Sequence, residues 1–209
     1  MTKPFQMMSQ GEIDLQMKNL LDEGLKAGMS QAAMIRADRI VVDERVRYKC
    51  MNCSGYGNSL GCPPFVIKPS ETRELLKSYQ YGILYRKLEE PGHISGPEAD
   101  LNQSWAQQLS RDVQQTMAAL EGKAFYKGFY LALAFGGGRC KLCSLDGTCK
   151  GLKTQTCLHP FEKKPAMEAV GIDVYSTLRE LDWTVSVVGK ETDPKTVEAV
   201  GYCGLLLVY

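Results

Sequence analysis

No stretch of the chain approaches the ~18 consecutive apolar residues needed to span a bilayer, and its first eight residues hold no apolar core of the kind an export signal needs. A cytoplasmic protein with no membrane partner is expected. Charge of one sign is also missing: 25 basic residues face 24 acidic ones, a net +1. That argues against a basic footprint over the whole surface, so nucleic acid is not an expected partner. Histidine is scarce, with only His93 and His159, and neither lies in an H-E-x-x-H zinc-protease helix or a C-x-x-C-H haem site. The phosphate loop G-x-x-x-x-G-K-[ST] is missing, and Gly55, Gly57 and Gly61 do not keep the G-x-G-x-x-G spacing of a dinucleotide fingerprint. Lacking repeats and low-complexity linkers as well, the 209 residues are expected to form one domain, 1–209, able to bury about 70% of their extended surface.

What the chain has instead is cysteine, eight residues of it. A cytoplasmic compartment keeps thiols reduced, so C-x-x-C spacings point to metal or redox chemistry before a disulfide framework. Seven of the eight fall in two glycine-punctuated loops. The later loop, over 136–160, carries Cys140, Cys143, Cys149 and Cys157 as C-x2-C-x5-C-x7-C. Iron–sulfur clusters take three or four thiolates from loops whose backbone N–H groups reach the sulfurs, a need that Gly138, Gly147 and Gly151 fit. The spacing is not the ferredoxin run C-x2-C-x2-C-x3-C-P. Zinc is the alternative metal, but four-cysteine zinc sites are usually built from two C-x2-C knuckles, and here only Cys140 and Cys143 form one.

The earlier loop, over 48–64, offers only Cys50, Cys53 and Cys62, as C-x2-C-x8-C-P-P. Three thiolates leave one iron of a four-iron cluster without a protein ligand, the arrangement that substrate binding at a cluster needs. A fourth ligand from Cys203, from His159, or exchanged from the other loop as in two-cluster ferredoxins is the competing reading. Arg45, Arg47 and Lys49 before the earlier loop, and Arg139, Lys141, Lys150 and Lys153 around the later one, are candidates to offset cluster charge or to form a solvated basic face. Glu168 is expected in the first turn of a helix, where a carboxylate complements the helix dipole; delivering protons beside a cluster is its alternative use.

Periodicity supplies the frame. Ser9 and Glu12 have the form of a capping box before Ile13, Met17, Leu20, Leu21 and Leu25, so a first helix is expected within 1–30 and its apolar stripe in the core. A strand or hairpin is expected from Ala32 to Arg47, strands over 81–88, 125–135, 183–188 and 204–209, and helices over 69–79, from Leu101 to Gly122, from Pro165 to Gly171, and from Asp173 to Leu181. The alternation predicts an α/β or α+β domain, a mixed sheet flanked by helices, with each cysteine loop following a strand.

The arginine-flanked C-x2-C-x8-C-P-P, then C-x2-C-x5-C-x7-C-x-H-P, then P-A-M-E-A-V-G-I-D-V resembles a family of uncharacterised prokaryotic proteins labelled predicted metal-binding proteins, a domain of unknown function. The resemblance runs from about Ile35 to the C-terminus. It implies a cysteine-bound metal, with iron–sulfur as the implied form, and an anaerobic setting, but no reaction. It carries over Cys50, Cys53, Cys62, Cys140, Cys143, Cys149 and Cys157 as the motif cysteines. The expectation is one or two [4Fe–4S] clusters. They would serve electron transfer to a redox partner protein or redox catalysis on a small-molecule substrate at the three-cysteine loop. A zinc-stabilised interaction module is the alternative.

Overall fold

The computed structural model describes residues 7–97 and 104–209. Leu101 of the expected long helix and the first six residues lie outside them. The chain runs α1 (Gln10–Lys26), β1 (Gln31–Arg36), α2 (Glu44–Lys49), α3 (Pro69–Leu76), β2 (Tyr81–Glu89), α4 (Pro91–Ile94), α5 (Ser104–Tyr126), β3 (Leu133–Phe135), α6 (Val174–Arg179) and β4 (Val200–Leu207). Among the described residues no helix is long and apolar enough to cross a membrane.

The four strands form one sheet in the order β1-β2-β4-β3. Every pairing is antiparallel, so the fold is α+β and the sheet is not mixed. Alternation along β2 and β4 sends side chains to two covered faces. Ile83, Tyr85 and Leu206 meet α1 and α5 through Ile13, Met17, Leu20, Val113, Met117 and Leu120. Leu84, Leu205 and Leu207 meet Ile35, Phe135, Met167, Val170, Ile172 and Leu178 on the opposite face. Burial on both faces is why β2 and β4 read as apolar runs and not as alternating ones.

The capping box of α1 forms as expected: the Ser9 N–H donates to Glu12 Oε2 at 2.8 Å, and Ser9 Oγ accepts from the Glu12 N–H. Its inner stripe ends on Gly24 and not on Leu25, which is 43% exposed. Tyr85 decides this, because a Cβ at Gly24 would lie 2.1 Å from Tyr85 Cε1. The Tyr85 hydroxyl also donates to the Leu20 carbonyl at 2.9 Å.

Of the expected strand or hairpin over 32–47, the first part forms as β1, and two further expected strands are corrected. Beyond β1 the chain makes only a single bridge, Val42 to Ile172, and then enters α2. Asp43 is the reason: its side chain accepts from the Arg45 N–H at 2.8 Å and starts a helix where β-branched residues favoured a strand. Cys50 therefore follows a helix. Over 125–135, α5 continues past Gly122 to Tyr126, the chain turns at Gly128 (φ 105°), and only Leu133–Phe135 is strand. Over 183–188 there is no strand; the segment crosses the second sheet face as an irregular strap. The last strand begins earlier than expected, at Val200. No helix starts at Pro165. Its carbonyl instead accepts from the Gly136 N–H at 2.9 Å, and a 3-10 turn follows over Glu168–Val170.

That pairing positions the later cysteine loop. Gly136 bridges Ala166, so the chain leaves and re-enters the fold at one point. Glu121 of α5 braces the base, accepting from the Ala134 N–H at 2.5 Å and pairing with the buried Lys164 ammonium. Gln114 Nε2 donates to the Lys164 carbonyl at 2.7 Å.

Candidate metal centre

All eight cysteines are free thiols. The structure brings six of the seven loop cysteines into pockets and buries the remaining one, Cys62, beneath Gly55. Cys140, Cys143, Cys149 and Cys157 line one small pocket with Leu142, His159 and, from the earlier loop, Ser59, Leu60 and Gly61. The later loop thus gathers its own four thiols and closes against the earlier loop. Its glycines serve turns and close approach. Gly138 (φ 71°) and Gly147 (φ 80°) adopt left-handed backbone, and a Cβ at Gly151 would lie 2.0 Å from the Thr156 carbonyl oxygen. The sulfur-directed N–H groups come from elsewhere: His159 N–H donates to Cys157 Sγ, and Gly55 N–H to Cys53 Sγ, each at 3.4 Å. The His159 ring lies 3.7 Å from Glu162.

The earlier loop continues from α2 through a 3-10 turn, Cys50–Asn52. Cys50 is half-buried, Cys53 exposed and Cys62 buried. Burial raises the thiol pKa of Cys50 and pushes that of Cys62 to about 11, with the other two cysteines of the loop adding to the rise at Cys62. Arg47 staples the start of the loop. Its guanidinium donates to the Ile67 and Ala169 carbonyls at 2.5 and 3.2 Å, and the Cys50 thiol reaches the Glu168 carbonyl at 3.8 Å.

Cys50 and Cys53 open onto a pocket of ≈ 560 Å³, lined also by Arg45, Lys49, Glu168 and Tyr175. Glu168 sits in its 3-10 turn and not on a regular helix. Burial raises its carboxyl pKa, against the opposing effect of a hydrogen bond from its own backbone N–H. Arg45 is already engaged, bonded to Asp43 at 2.5 Å. Cys203 lies apart from this pocket. It is buried in β4, across from Arg86 in register.

Arg139 ties the two loops together. Nη1 donates to Ser54 Oγ of the earlier loop at 3.2 Å, and Nη2 to the Gly147 carbonyl of the later one at 2.6 Å. Its Nε is buried with no partner. A Cβ at Gly55 would meet both Cys62 Sγ, at 2.9 Å, and the Arg139 side chain, and one at Gly61 would meet Cys140 Cβ at 3.4 Å. The loops are in contact, with a cation between them. Residues 33–208 match a family described as predicted metal-binding protein, DUF2284. The chain belongs to this family. No curated protein and no solved structure matches it.

The family description is of a metal-binding protein, and the donor set here is thiol. Thiolate is the ligand of iron–sulfur clusters and of structural zinc. A buried Arg139 Nε with no partner among the described residues, on a side chain whose charge favours the Cys62 thiolate, suits the negative sulfurs that such a centre carries. Among the described residues no three thiol, imidazole or carboxylate groups stand close enough to hold a single ion. The parts the sequence reading passed over are Arg139 as a bridge, Tyr175 and Arg86. Arg139 was visible only as one cation among several, and Arg86 lay inside an otherwise apolar strand.

Proposed function

We propose that this member of the metal-binding family is a cytoplasmic redox protein that binds [4Fe–4S] clusters on both cysteine loops and acts on a small substrate beside the earlier one. Cys140, Cys143, Cys149 and Cys157 would hold the enclosed cluster, and Cys50, Cys53 and Cys62 the open one. A cluster held by three thiolates supplies an iron without a protein ligand, a site of Lewis-acid and electron-transfer chemistry. The observation that carries the reading is the contrast in surroundings. Cys140, Cys143, Cys149 and Cys157 share one small pocket with Ser59, Leu60 and Gly61, while Cys50 and Cys53 face a ≈ 560 Å³ space of ligand size. That space is lined by Arg45 and Lys49 and by Asp43, Asp173 and Glu168, with Arg45 paired to Asp43, so it suits a polar guest without net negative charge, and Glu168, whose pKa burial raises, can hold a proton there. Contact between the loops at Gly61 and Cys140 gives a short path between the two centres.

Zinc is disfavoured by the ligand pattern. Four-cysteine zinc sites are usually built from two C-x2-C knuckles, and in the later loop only Cys140 and Cys143 form one. Metal and acid-labile sulfide analysis of anaerobically purified protein, with EPR after reduction, tests the reading. Iron and sulfide near eight per chain, with an EPR signal that cyanide or a small thiol perturbs in one cluster only, is expected if two [4Fe–4S] clusters are bound. Stoichiometric zinc without iron or sulfide would sink it, and EPR indifferent to every small ligand would reduce it to electron transfer alone.

A further inference from the structure

Arg86 is the one charged side chain of β2 turned inward among the described residues, and it is 3% exposed. It has no carboxylate partner there. Nε donates to Gln31 Oε1 at 2.8 Å, Nη1 donates to the Thr184 carbonyl at 2.6 Å, and the guanidinium lies 5.2 Å from the centre of the Trp183 ring. All three partners are neutral, and Nη2 makes no hydrogen bond among the described residues. Burying a cation without an anion is costly, and burial lowers the pKa of this guanidinium. Cys203, opposite in register, does not supply the missing anion, because burial pushes its thiol up to about 12 and keeps it neutral.

The guanidinium lines a pocket of ≈ 310 Å³ between the second sheet face, α6 and the 183–188 strap. The walls are apolar, built from Val174, Leu178, Val185 and Val188. The pocket contains no other cation. Glu168, Tyr175 and Tyr202 line it as well, and it touches Gly137 and Gly138 at the root of the later loop. Glu168 and Tyr175 also line the pocket at Cys50 and Cys53, so the two spaces share a wall. One cation in an apolar slot, with an unused N–H, suits a planar monoanion with an apolar body. A phosphate would call for more donors and more charge.

We infer that this second pocket binds a small apolar monocarboxylate, its carboxylate on Arg86 and its body directed toward Glu168. Binding itself is independent of which metal the cysteines hold. That the carboxylate is the redox substrate rests on the function proposed above. The strap is part of the site, since the Arg86 bond to the Thr184 carbonyl holds it over the slot.

Calorimetric titration of the anaerobically purified full chain with butyrate and benzoate, against butyramide and benzamide, tests this, with iron and sulfide assayed on the same samples. At least one carboxylate should bind at millimolar concentration or below, with its amide at least about tenfold weaker. Arg86→Gln should weaken the carboxylate about tenfold or more while leaving iron content unchanged. Val188→Phe, which fills the slot and leaves Arg86 and its partners in place, should abolish binding in a protein that melts normally; it decides the matter if Arg86→Gln does not fold. Amides binding as well as the acids, no acid binding, or Val188→Phe binding like the parent would each overturn the proposal. Zinc in place of iron, with carboxylate binding intact, would refute the redox reading and leave this one standing.

Discussion

The two cysteine loops are built from the same residue types and behave as opposites. The later loop closes its base at Gly136 and Ala166, lines one pocket with all four of its thiols, and shares that pocket with Ser59, Leu60 and Gly61 of the other loop. The earlier loop grades from buried Cys62 to exposed Cys53 and opens two thiols to a ligand-sized space. A loop that folds over its own ligands has little room for a guest, and one held from outside, by Arg47 and Arg139, keeps a face free. A thiol's use thus depends on what surrounds it more than on its spacing.

Replacing ligands in each loop should break the comparison most sharply. Cys140→Ser is expected to lower metal content in both loops and cut the yield of folded protein, because its thiol lines a pocket whose other walls include Ser59, Leu60 and Gly61 of the earlier loop. Cys53→Ala, at an exposed position, should lose only its own loop's metal, roughly half the iron, with little change in melting. Metal analysis beside thermal melts would show it, and equal losses would mean the loops do not differ in this way.

Glycine substitutions give the next largest contrast. Gly151→Ala drives a methyl to 2.0 Å from the Thr156 carbonyl oxygen and should destabilise by about 3 kcal/mol or more. Gly57→Ala in the earlier loop meets open space and bears only the strain of its positive φ of 68°, about 1 kcal/mol. Denaturant midpoints at constant m-value would compare them.

Arg139→Met should separate the loops without unfolding either. Loss of its bonds to Ser54 and Gly147 is expected to cost about 1–2 kcal/mol. Loss of the cation should shift the reduction potential of at least one cluster to more negative values, read by EPR-monitored redox titration. An unchanged potential would mean that Arg139 is only a brace.

The smallest effect belongs to the entry helix of the earlier loop. Arg45, through its side chain first and its N–H second, holds the Asp43 carboxyl at about 2, below the ordinary 3.8. A depressed carboxyl pKa adds stability that is fully present above 3.8 and is lost as pH falls through that value toward 2. Acid titration of stability should therefore show a slight loss in that window, reduced in Asp43→Asn; Asp146 of the later loop, its carboxyl lowered first by the Thr148 N–H, adds a loss of the same sign that Asp43→Asn leaves in place.

Where helix and strand signals were local, they were legible. The Ser9 and Glu12 cap, the Pro69 helix start and the apolar run of β2 all stand where periodicity places them. Where two local signals compete, the sequence misleads. Ile40, Val41 and Val42 favour a strand until Asp43 caps a helix, and Phe125 and Tyr126 favour a strand until buried Ala124 keeps α5 going. The cysteine spacings pointed to seven candidate ligands, and the fold places them as two adjoining groups. Nothing in the order of residues distinguished Arg139 from its neighbours or marked Arg86, since each takes its meaning from partners far along the chain.

Sequence alone determined the chemistry at hand: two thiol-rich loops, membership of a metal-binding family, and an apolar frame able to carry them. Spacing along the chain sets which cysteines can share a site, because a short loop can reach only one point. The tertiary structure decided that the sheet is antiparallel, that one loop gathers its thiols while the other faces open space, and that a buried arginine lines a second pocket that touches the later loop and shares Glu168 and Tyr175 with the space at Cys50 and Cys53. Those outcomes depend on contacts between residues tens of positions apart, and burial, the property that shifts their pKa values and exposes or covers their thiols, belongs to the packed chain.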